Sequence, residues 1–574
     1  MTRARITTLL LALMLAVQIV PTDAQTAYYD IIIMNGRIID GSGNPWFYGD
    51  VAIRDDRIIK VGRIGPSRTP RRINAQGMIV APGFIDMLGQ SEETLLIDPR
   101  AQSKVFQGIT TEVTGEGGSI APLNDYLIEE SRARIEHFRL QVDWRSLDQY
   151  FSRLERTPAA INLATYVGAT QVRQMVLKDE DRSPTPAEIE SMRRLVAQAM
   201  EDGAVGLSSS LVYAPAFYAS TEELIELAKV AARYGGVYAT HMRSESNSIM
   251  KAIDEAIRIG REAKIPVEIF HLKLAGKQNW GRMAEVIKKI TDARAAGIDI
   301  TADQYPYVAG ATSLGASIPP WAHEGGTAKF IERLKDAKTR ERLKQEMRSA
   351  TGDWENFYYG AGGGQGIMIA SVLGDELKKY QGKRVSEAAR LMNKADEIDA
   401  LFDLVVADNN NVGAVYFLMN EDDVKLAMKQ PWVSIGVDYG AVATTGPLAE
   451  GRAHPRAYGT FPRILGRYVR DERVLGMEEA IRKMTSLAAN RVGLSERGLI
   501  KPGFFADVVV FDPRQINDAA TFEDPNQLSV GVRHVMVNGK LVIENGRQTA
   551  ALPGRPLRGP GFRRAPTVKK PEPR

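Results

Sequence analysis

The segments GGVYATHMRSE (residues 235–245) and PVEIFHLKLAG (residues 266–276) decide the fold of this chain. Each starts with an apolar run typical of a buried strand and passes through a histidine, His241 in the first and His271 in the second. An amphipathic stretch separates them. The pattern therefore predicts a strand, helix and strand unit with an imidazole at the carboxyl end of each strand.

In a βα barrel the carboxyl ends of the parallel strands meet at one mouth, where barrel enzymes carry out their chemistry. Adjacent strands would thus bring His241 and His271 together, and paired neutral imidazoles suit a transition metal, most often zinc. The alternative is two unrelated histidines, one capping a helix and one satisfied in the core. The chain has only six histidines, and the matching positions of these two favour the metal site.

Six further apolar runs alternate with helical stretches, which predicts an α/β fold in which eight parallel strands close a (β/α)8 TIM-like barrel. The eight predicted strands are GFIDML (83–88), TTEVT (110–114), INLATYVG (161–168), AVGLSSS (204–210), GVYATH (236–241), VEIFH (267–271), IDITADQY (298–305) and WVSIGVD (432–438). The segment from about 311 to 429 is too long for a plain connection between strands seven and eight. We expect an insertion with its own helices, of the kind that often forms a lid.

Short alternating strands flank this barrel region, which we bound at residues 81–495. They occupy residues 28–80 and return in residues 496–550, as in ADVVVFDP (506–513) and HVMVNGKLVIENG (534–546). Two β segments at opposite ends of a chain predict one small β-sandwich domain that both termini build together.

The first residues have the features of a secretory signal peptide. Arg3 and Arg5 precede an apolar run from Leu9 to Val20, and small residues follow up to Ala24. This predicts a signal peptide over residues 1–24, cleaved near Ala24, and a secreted or periplasmic enzyme. A retained membrane anchor is the alternative, although the run is short for a span.

Composition limits the other options. The 574 residues contain no cysteine, which agrees with an oxidising compartment and removes every thiolate ligand and nucleophile. The net charge of +4 is small, so we expect no nucleic-acid partner. Part of that charge lies in residues 551–574, a basic, Pro-rich tail that we expect to be disordered. After signal cleavage we expect no stable membrane span, and the oligomeric state is left open.

An ordered series of motifs runs along the chain. It comprises NGRIIDGSG (35–43), APGFID (81–86), QGITTEVTGEGGSIAP (107–122), the two histidine segments, DQYPYVAG (303–310), VDYG (437–440) and HPRAYGTFPRILGRYVR (454–470). The series resembles the amidohydrolase superfamily and, within it, the N-acyl-D-amino-acid deacylases (D-aminoacylases). The resemblance extends from about residue 28 to 546.

Two departures from the family pattern concern the metals. Members usually follow GFID with a His-x-His pair that holds one metal, whereas this chain has Leu88 and Gln90, so we expect that metal position to be empty. Members also tend to carry a metal-binding cysteine after strand two. Aligning GGSIAP with that stretch brings Glu116 to the place of the cysteine, and glutamate is a competent zinc ligand.

The resemblance therefore implies one zinc ion per chain, held by Glu116, His241 and His271, with an open position for a water that becomes a metal-bound hydroxide. It assigns Asp438, after strand eight, as the general acid and base. Two alternatives stay open: Asp438 as the N-cap of the next helix, and Glu116 as a solvated residue of a glycine-rich loop.

The resemblance also implies that Lys273, Tyr305 and Arg456 bind the free carboxylate of the substrate. Tyr213 and Tyr218, in the loop after strand four, are expected to line the pocket. The alternatives are a surface lysine, a satisfied core tyrosine, an arginine that braces the lid, and ordinary loop packing.

The function that follows is hydrolysis of the amide bond of N-acyl-D-amino acids or related peptide-like amides, which are small-molecule substrates. One alternative is a metallopeptidase acting on dipeptides, peptidoglycan-derived peptides or L-acyl amino acids. Another is an inactive barrel that serves as a binding protein.

Overall fold

Eight parallel strands form the centre of the chain in the computed structural model, which describes residues 27–350 and 352–563. Each predicted strand segment contains one barrel strand. The strands are Phe84–Asp86, Ile109–Thr114, Asn162–Thr165 continued by Val167–Gly168, Gly206–Ser210, Val237–His241, Val267–Ile269, Ile300–Gln304 and Val433–Ile435. Neighbours pair in parallel register around the ring, for example Ser210 with His241, and the third strand is interrupted at Tyr166.

Hydrogen bonds between the first and eighth strands close the ring. The Met87 amide donates to the Ile435 carbonyl at 3.1 Å, and the Asp438 amide donates to the Leu88 carbonyl at 2.7 Å. The predicted (β/α)8 barrel is therefore confirmed.

A buried ion triad stabilises the barrel near this closure. Lys104 Nζ lies 2.7 Å from the Asp86 carboxylate and 3.0 Å from that of Glu112, and all three side chains are fully buried. Asp86 also accepts a hydrogen bond from the Val437 amide at 2.8 Å. The triad thus links strands one and two to the strand that closes the barrel.

The helices cover the outside of the barrel or belong to its connections. They are Thr94–Ile97, Gln102–Val105, Asp125–Glu130, Arg132–Phe138, Leu147–Arg156, Ala169–Leu177, Pro186–Asp202, Thr221–Arg233, Ile249–Ala263, Met283–Ala295, Thr327–Lys335, Ala337–Met347, Phe357–Gly360, Val385–Leu391, Glu397–Ala407, Glu421–Met428, Arg456–Arg463 with its π-helical continuation Ile464–Asp471, Met477–Met484 and Ser486–Arg491. The helix between the two histidine strands, Ile249–Ala263, buries an apolar stripe that includes Ile253, Ala256 and Ile257. This spacing is that of an amphipathic helix packed on a sheet.

Strands from both ends of the chain share one sheet, which confirms the small β domain built from both termini. The amino-terminal strands are Ala27–Tyr28, Ile31–Ile38, Phe47–Arg54, Arg57–Gly62, Ser67–Arg68, Arg71–Asn74 and Ile79–Pro82, and the carboxyl-terminal strands are Val508–Phe511, Val532–Val537, Lys540–Glu544 and Arg547–Gln548. Ile79–Pro82 pairs antiparallel with Val508–Phe511, and this pairing joins the two halves. Ala27–Tyr28 pairs separately, with Ser67–Arg68.

The insertion between barrel strands seven and eight contains its own small sheet. Its strands Gly310–Ser313, Ile367–Ser371 and Gly413–Tyr416 are antiparallel, with Gly413–Tyr416 in the middle. Helices of the insertion pack around this sheet, and some of its residues reach the mouth of the barrel.

Residues 551–563 differ from the expected disorder. They follow the barrel surface, where the Leu163 amide donates to the Arg555 carbonyl and the Gly554 amide donates to the Ala159 carbonyl. Arg558 pairs with Asp148 at 2.9 Å. Backbone hydrogen bonds and an ion pair thus fix a segment whose composition alone indicated disorder.

Residues 1–26, 351 and 564–574 lie outside the described residues, and the predicted signal peptide and the end of the tail fall there. Within the part of the chain that the structure describes, no helix is both long and apolar enough to cross a membrane.

Candidate metal and active site

Glu116, His241 and His271 meet at the mouth of the barrel. Glu116 follows strand two, His241 ends strand five and His271 follows strand six. Glu116 Oε1 lies 2.9 Å from His241 Nδ1 and 3.1 Å from His271 Nε2. Among the described residues they form a group of three ligand-type side chains whose ligand atoms all lie within 4.8 Å of one another. Two imidazoles and a carboxylate are a donor set that zinc accepts, so the residues fit a metal.

Burial and charge tune these groups. Burial disfavours the ionised carboxylate, but the hydrogen bonds from His241 and His271 outweigh it and hold the pKa of Glu116 well below its usual range. Burial would lower the pKa of His241, yet the charge of Glu245 and the hydrogen bond to Glu116 raise it to about 9. Without a metal, a proton on His241 therefore balances the Glu116 charge.

Glu245 lies beside both histidines, on the side away from Glu116. Its carboxylate lies 3.4 Å from His241 Nε2 and 3.0 Å from His271 Nδ1. Lys273 Nζ donates to it at 2.7 Å, and the positive charge of Lys273 helps hold the pKa of the buried Glu245 well below its usual range. Carboxylates that hold the outer nitrogen of a ligating imidazole fix the ring orientation and strengthen metal binding.

Asp438 lies on the opposite side of Glu116. The Gln90 amide donates to Glu116 Oε2 at 3.0 Å and to Asp438 Oδ1 at 3.1 Å, so it bridges the two carboxylates. Arg456 lies 2.8 Å from Asp438 Oδ2. Burial raises the pKa of Asp438, and the Arg456 charge partly offsets this rise.

The backbone at two of these positions is left-handed. The φ angles are +37° at His271 and +54° at Asp438. Such angles are uncommon for residues other than glycine and cost on the order of 1–3 kcal/mol, a strain that tends to concentrate at functional sites.

A cavity of about 310 Å³ contains this cluster. Lys273, Tyr305, Arg456 and Tyr213 line it. The guanidinium carbon of Arg456 lies 4.5 Å from the centre of the Tyr305 ring. Within residues 27–350 and 352–563, neither the buried Tyr305 hydroxyl nor Arg456 Nε has a hydrogen-bond partner. Buried unpaired donors of this kind are suited to a polar group of a ligand.

Tyr218 does not take the pocket position that its sequence context predicted. It lines neither this cavity nor the larger one beside it. Its hydroxyl donates to the Pro320 carbonyl at 2.7 Å, because the loop after strand four turns towards the insertion at this point.

Sequence reasoning missed Glu245 and the bridging role of Gln90. Glu245 stands four residues after His241, a spacing that could have drawn attention to it as a partner of that imidazole. For Gln90 the sequence indicates only that an amide stands where relatives have a histidine ligand. The contacts of Gln90 arise because the ends of strands one, two and eight lie close together. A local sequence pattern does not show this proximity.

Comparison with known proteins agrees with this geometry. A family model described as "Amidohydrolase family" matches residues 71–543. D-aminoacylase of Alcaligenes xylosoxydans xylosoxydans is 36% identical over 538 residues, which are 92% of this chain and 97% of that protein. N-acyl-D-aspartate deacylase of the same organism is 36% identical over 542 residues, 93% of this chain and 96% of that protein.

Solved structures give the same result. A crystal structure of D-aminoacylase superposes with a TM-score of 0.76 at 36% identity, covering 92% of this chain and 100% of the other. N-acyl-D-glutamate deacylase from Bordetella bronchiseptica, complexed with zinc and a phosphonate inhibitor that mimics the tetrahedral intermediate, gives a TM-score of 0.78 at 32% identity and covers 93% of this chain and 100% of that chain.

Replacing the shared carboxylate tests the support of the histidines. We expect Glu245→Gln to weaken zinc binding roughly 10- to 100-fold, because the outer nitrogens lose their anionic partner. Competition with a chromogenic chelator measures the affinity. Glu262→Gln, an exposed glutamate paired with Arg258, is the matched control and should bind zinc as the unaltered protein does. Equal affinities in two variants with unchanged melting temperatures would contradict the role of Glu245.

Metal binding should depend on pH through His241. Protonation of His241 stabilises the metal-free fold. This contribution is fully present below pH 6.5 and is lost as the pH rises through the His241 pKa of about 9. Zinc needs the neutral imidazole, so we expect binding near neutral pH to release a proton and to strengthen by about tenfold per pH unit. Calorimetric titrations in two buffers of different ionisation enthalpy measure that proton. Identical apparent enthalpies in both buffers would show that none is released.

Proposed function

The chain belongs to the amidohydrolase family, and from this premise we propose that it hydrolyses the amide bond of N-acyl-D-amino acids. Relatives that cover more than nine-tenths of the chain are named D-aminoacylase, N-acyl-D-aspartate deacylase and N-acyl-D-glutamate deacylase. The observation that carries the proposal is one cavity that unites Glu116, His241 and His271 with Asp438 and Arg456. The metallopeptidase and the inactive binding protein are not favoured, since these relatives are named as an aminoacylase and deacylases of D-amino acids.

Glu116, His241 and His271 would hold the metal, for which we propose zinc. A metal there supplies Lewis acidity, which makes a water more acidic and polarises an acyl carbonyl. Asp438 is suited to accept the proton that the water loses and to return it to the leaving nitrogen. Burial raises its pKa, so it is a stronger base than an exposed aspartate, and the Gln90 amide keeps it beside Glu116.

The carboxylate of the substrate needs donors on the same cavity wall. The Tyr305 hydroxyl and Arg456 Nε are buried there without partners, so we assign the carboxylate contacts to them. Lys273 makes its hydrogen bonds to Glu245 and His271, and we assign to it a positive charge on this wall and the support of Glu245. Tyr213, whose ring centre lies 5.3 Å from that of His241, lines the cavity beside the ligands.

We further propose one metal ion per chain. Leu88 is buried and offers no ligand atom, and the Gln90 amide already bridges Glu116 and Asp438, where its N–H groups would face a cation. The related D-aminoacylase has a binuclear centre with one-metal activation and second-metal attenuation. A chain with a single competent site would carry out the reaction without the attenuating ion.

The reaction is tested with paired N-acetyl-D and N-acetyl-L derivatives of Met, Leu, Phe and Glu. Protein stripped of metal is titrated with zinc, and amino-acid release is measured. We expect turnover of the D series that saturates near one zinc per chain. Asp438→Asn should lose roughly 10²- to 10⁴-fold in kcat, because the amide cannot accept the proton, and should keep its zinc affinity.

Asn tolerates the left-handed backbone of position 438, so this variant should fold normally. Near-full activity of Asp438→Asn would remove the residue from the mechanism. Turnover of only the L series would contradict the proposed stereochemistry, and no turnover with zinc, cobalt or manganese would contradict the proposed function.

The double variant Leu88→His, Gln90→His supplies the missing imidazoles and should bind more zinc per chain than the unaltered protein. An unchanged zinc content would show that other features restrict the site.

We propose that the enzyme is exported and is secreted or periplasmic, because residues 1–24 combine a basic start, an apolar run and small residues before Ala24. Expression of the full chain in a bacterium, followed by fractionation and mass measurement of the amino terminus, tests this. We expect a product that begins near Gln25 outside the cytoplasm. The double variant Leu11→Arg, Leu13→Arg should stay unprocessed in the cytoplasm, because it interrupts the apolar run. An unprocessed cytoplasmic product from the unaltered chain would contradict export.

A further inference from the structure

A second, larger cavity opens beside the metal ligands. Its volume is about 650 Å³, against about 310 Å³ for the cavity that contains the histidines. The two cavities share a boundary formed by Gln90, Glu116, Gly118, Ala311, Thr312 and Arg456. This boundary leaves room for a substrate whose scissile amide lies beside Glu116 to extend one half into each cavity.

Unpaired donors indicate which half of the substrate lies where. The smaller cavity alone holds Tyr305 with its unpaired hydroxyl and the aromatic Phe357 and Tyr416, whereas the Lys273 of that cavity is paired with Glu245. That cavity suits the amino-acid half, with its carboxylate and side chain. The larger cavity carries Glu92, Glu93 and Glu130, whereas Arg134 is the cation that it does not share with the smaller one.

Arg134 is already paired, since its Nε lies 2.7 Å from Glu93. Among the described residues, and apart from the shared Arg456, the larger cavity therefore offers the substrate carboxylate no unpaired cation.

One wall of the larger cavity carries several apolar side chains, beside the polar Glu130, Ser131 and Arg134. Between the second and third barrel strands, the chain contributes side chains from Ile120 to Trp144, among them Leu127, Ile128 and Ile135. The indole nitrogen of Trp144 donates to the Ile120 carbonyl at 2.9 Å, so its polar atom is satisfied within the protein. This wall offers apolar surface to whatever lies beyond the scissile carbonyl.

We propose that the acyl group of the natural substrate is a long aliphatic chain, so that the enzyme acts on amphiphilic N-acyl amino acids. The inference rests on the proposed deacylase function and specifies its substrate class. Volume supports it, because the larger cavity lies within the range that binds whole small molecules and exceeds the needs of an acetyl group. Each methylene buried against the wall adds hydrophobic stabilisation to the bound substrate.

The test compares N-acetyl, N-octanoyl and N-dodecanoyl derivatives of one D-amino acid, below their critical micelle concentrations, with the zinc-loaded full chain. We expect kcat/KM to rise by roughly two- to fourfold for each methylene that the cavity buries. Calorimetric binding of free dodecanoate, with acetate as the reference, gives a readout independent of turnover. We expect dodecanoate to bind at least tenfold more tightly.

Two variants on one helix locate the effect. Ile135→Ala removes apolar surface from the cavity wall and should lower the ratio of dodecanoyl to acetyl kcat/KM several-fold. Phe138→Ala is the matched control, because Phe138 lies on the same helix, Arg132–Phe138, and does not line the cavity. It should keep the ratio of the unaltered enzyme.

The outcomes separate the two proposals. Turnover of N-acetyl-D-amino acids with no gain from longer chains would overturn the acyl assignment and leave the deacylase function intact. A dependence on amino-acid side-chain size in place of acyl length would reverse the orientation and overturn it as well. If Ile135→Ala and Phe138→Ala reduce the gain in kcat/KM from longer acyl chains equally, the acyl chain does not lie against this wall. No turnover of any acyl derivative would instead contradict the deacylase function itself.

Discussion

Closure of the barrel between its first and eighth strands is the constraint on which the site depends. The amide of Asp438 donates to the Leu88 carbonyl at 2.7 Å, although 350 residues separate the two along the chain. That pairing brings Gln90 and Asp438 to the same side of Glu116. The buried triad of Lys104, Asp86 and Glu112 positions the strands at the closure through charge pairs whose partners are all removed from solvent. Loss of one partner would leave an uncompensated buried charge, an arrangement that proteins tolerate poorly.

The mouth of the barrel is a balanced series of charges. Lys273 pairs with Glu245, the two imidazoles lie between Glu245 and Glu116, and Arg456 pairs with Asp438. Buried pairs of this kind give no assured gain in stability over apolar packing, so their value lies in positioning. A divalent ion between Glu116, His241 and His271 would take over the charge that a proton on His241 supplies in its absence.

The fold was largely predictable because its signals are local and repeated. Each barrel strand lies in a short, almost wholly buried segment between helical stretches, and the β segments at the two ends have the same alternating pattern, so local patterns were sufficient. The proximity of His241 and His271 could be predicted because all strands of a parallel barrel end at the same mouth. Glu116 needed the family resemblance, since a glutamate in a glycine-rich loop has no pattern of its own.

Three features were not predicted from the sequence, each for a physical reason. Glu245 lies in a loop, and its contact with both imidazoles arises from the turn that follows strand five. Tyr218 lies five residues beyond Tyr213, and the loop between them changes direction, so the two rings part. Residues 551–563 have the composition of a solvated tail, but their carbonyl and amide groups find partners on the barrel, as between Arg555 and Leu163. Amino-acid composition does not indicate backbone hydrogen bonds of this kind.

The sheet that joins residues 27–82 to residues 508–548 also determines when the molecule can be completed during synthesis. Its central pairing, Ile79–Pro82 with Val508–Phe511, involves a strand that leaves the ribosome more than 400 residues after its partner. At typical translation rates this interval lasts tens of seconds. The amino-terminal strands spend that time with an unpaired edge, a state that favours chaperone binding or aggregation. The two-ended sheet is therefore the last part of the molecule that can be completed, because its central pairing waits for strands near the end of the chain.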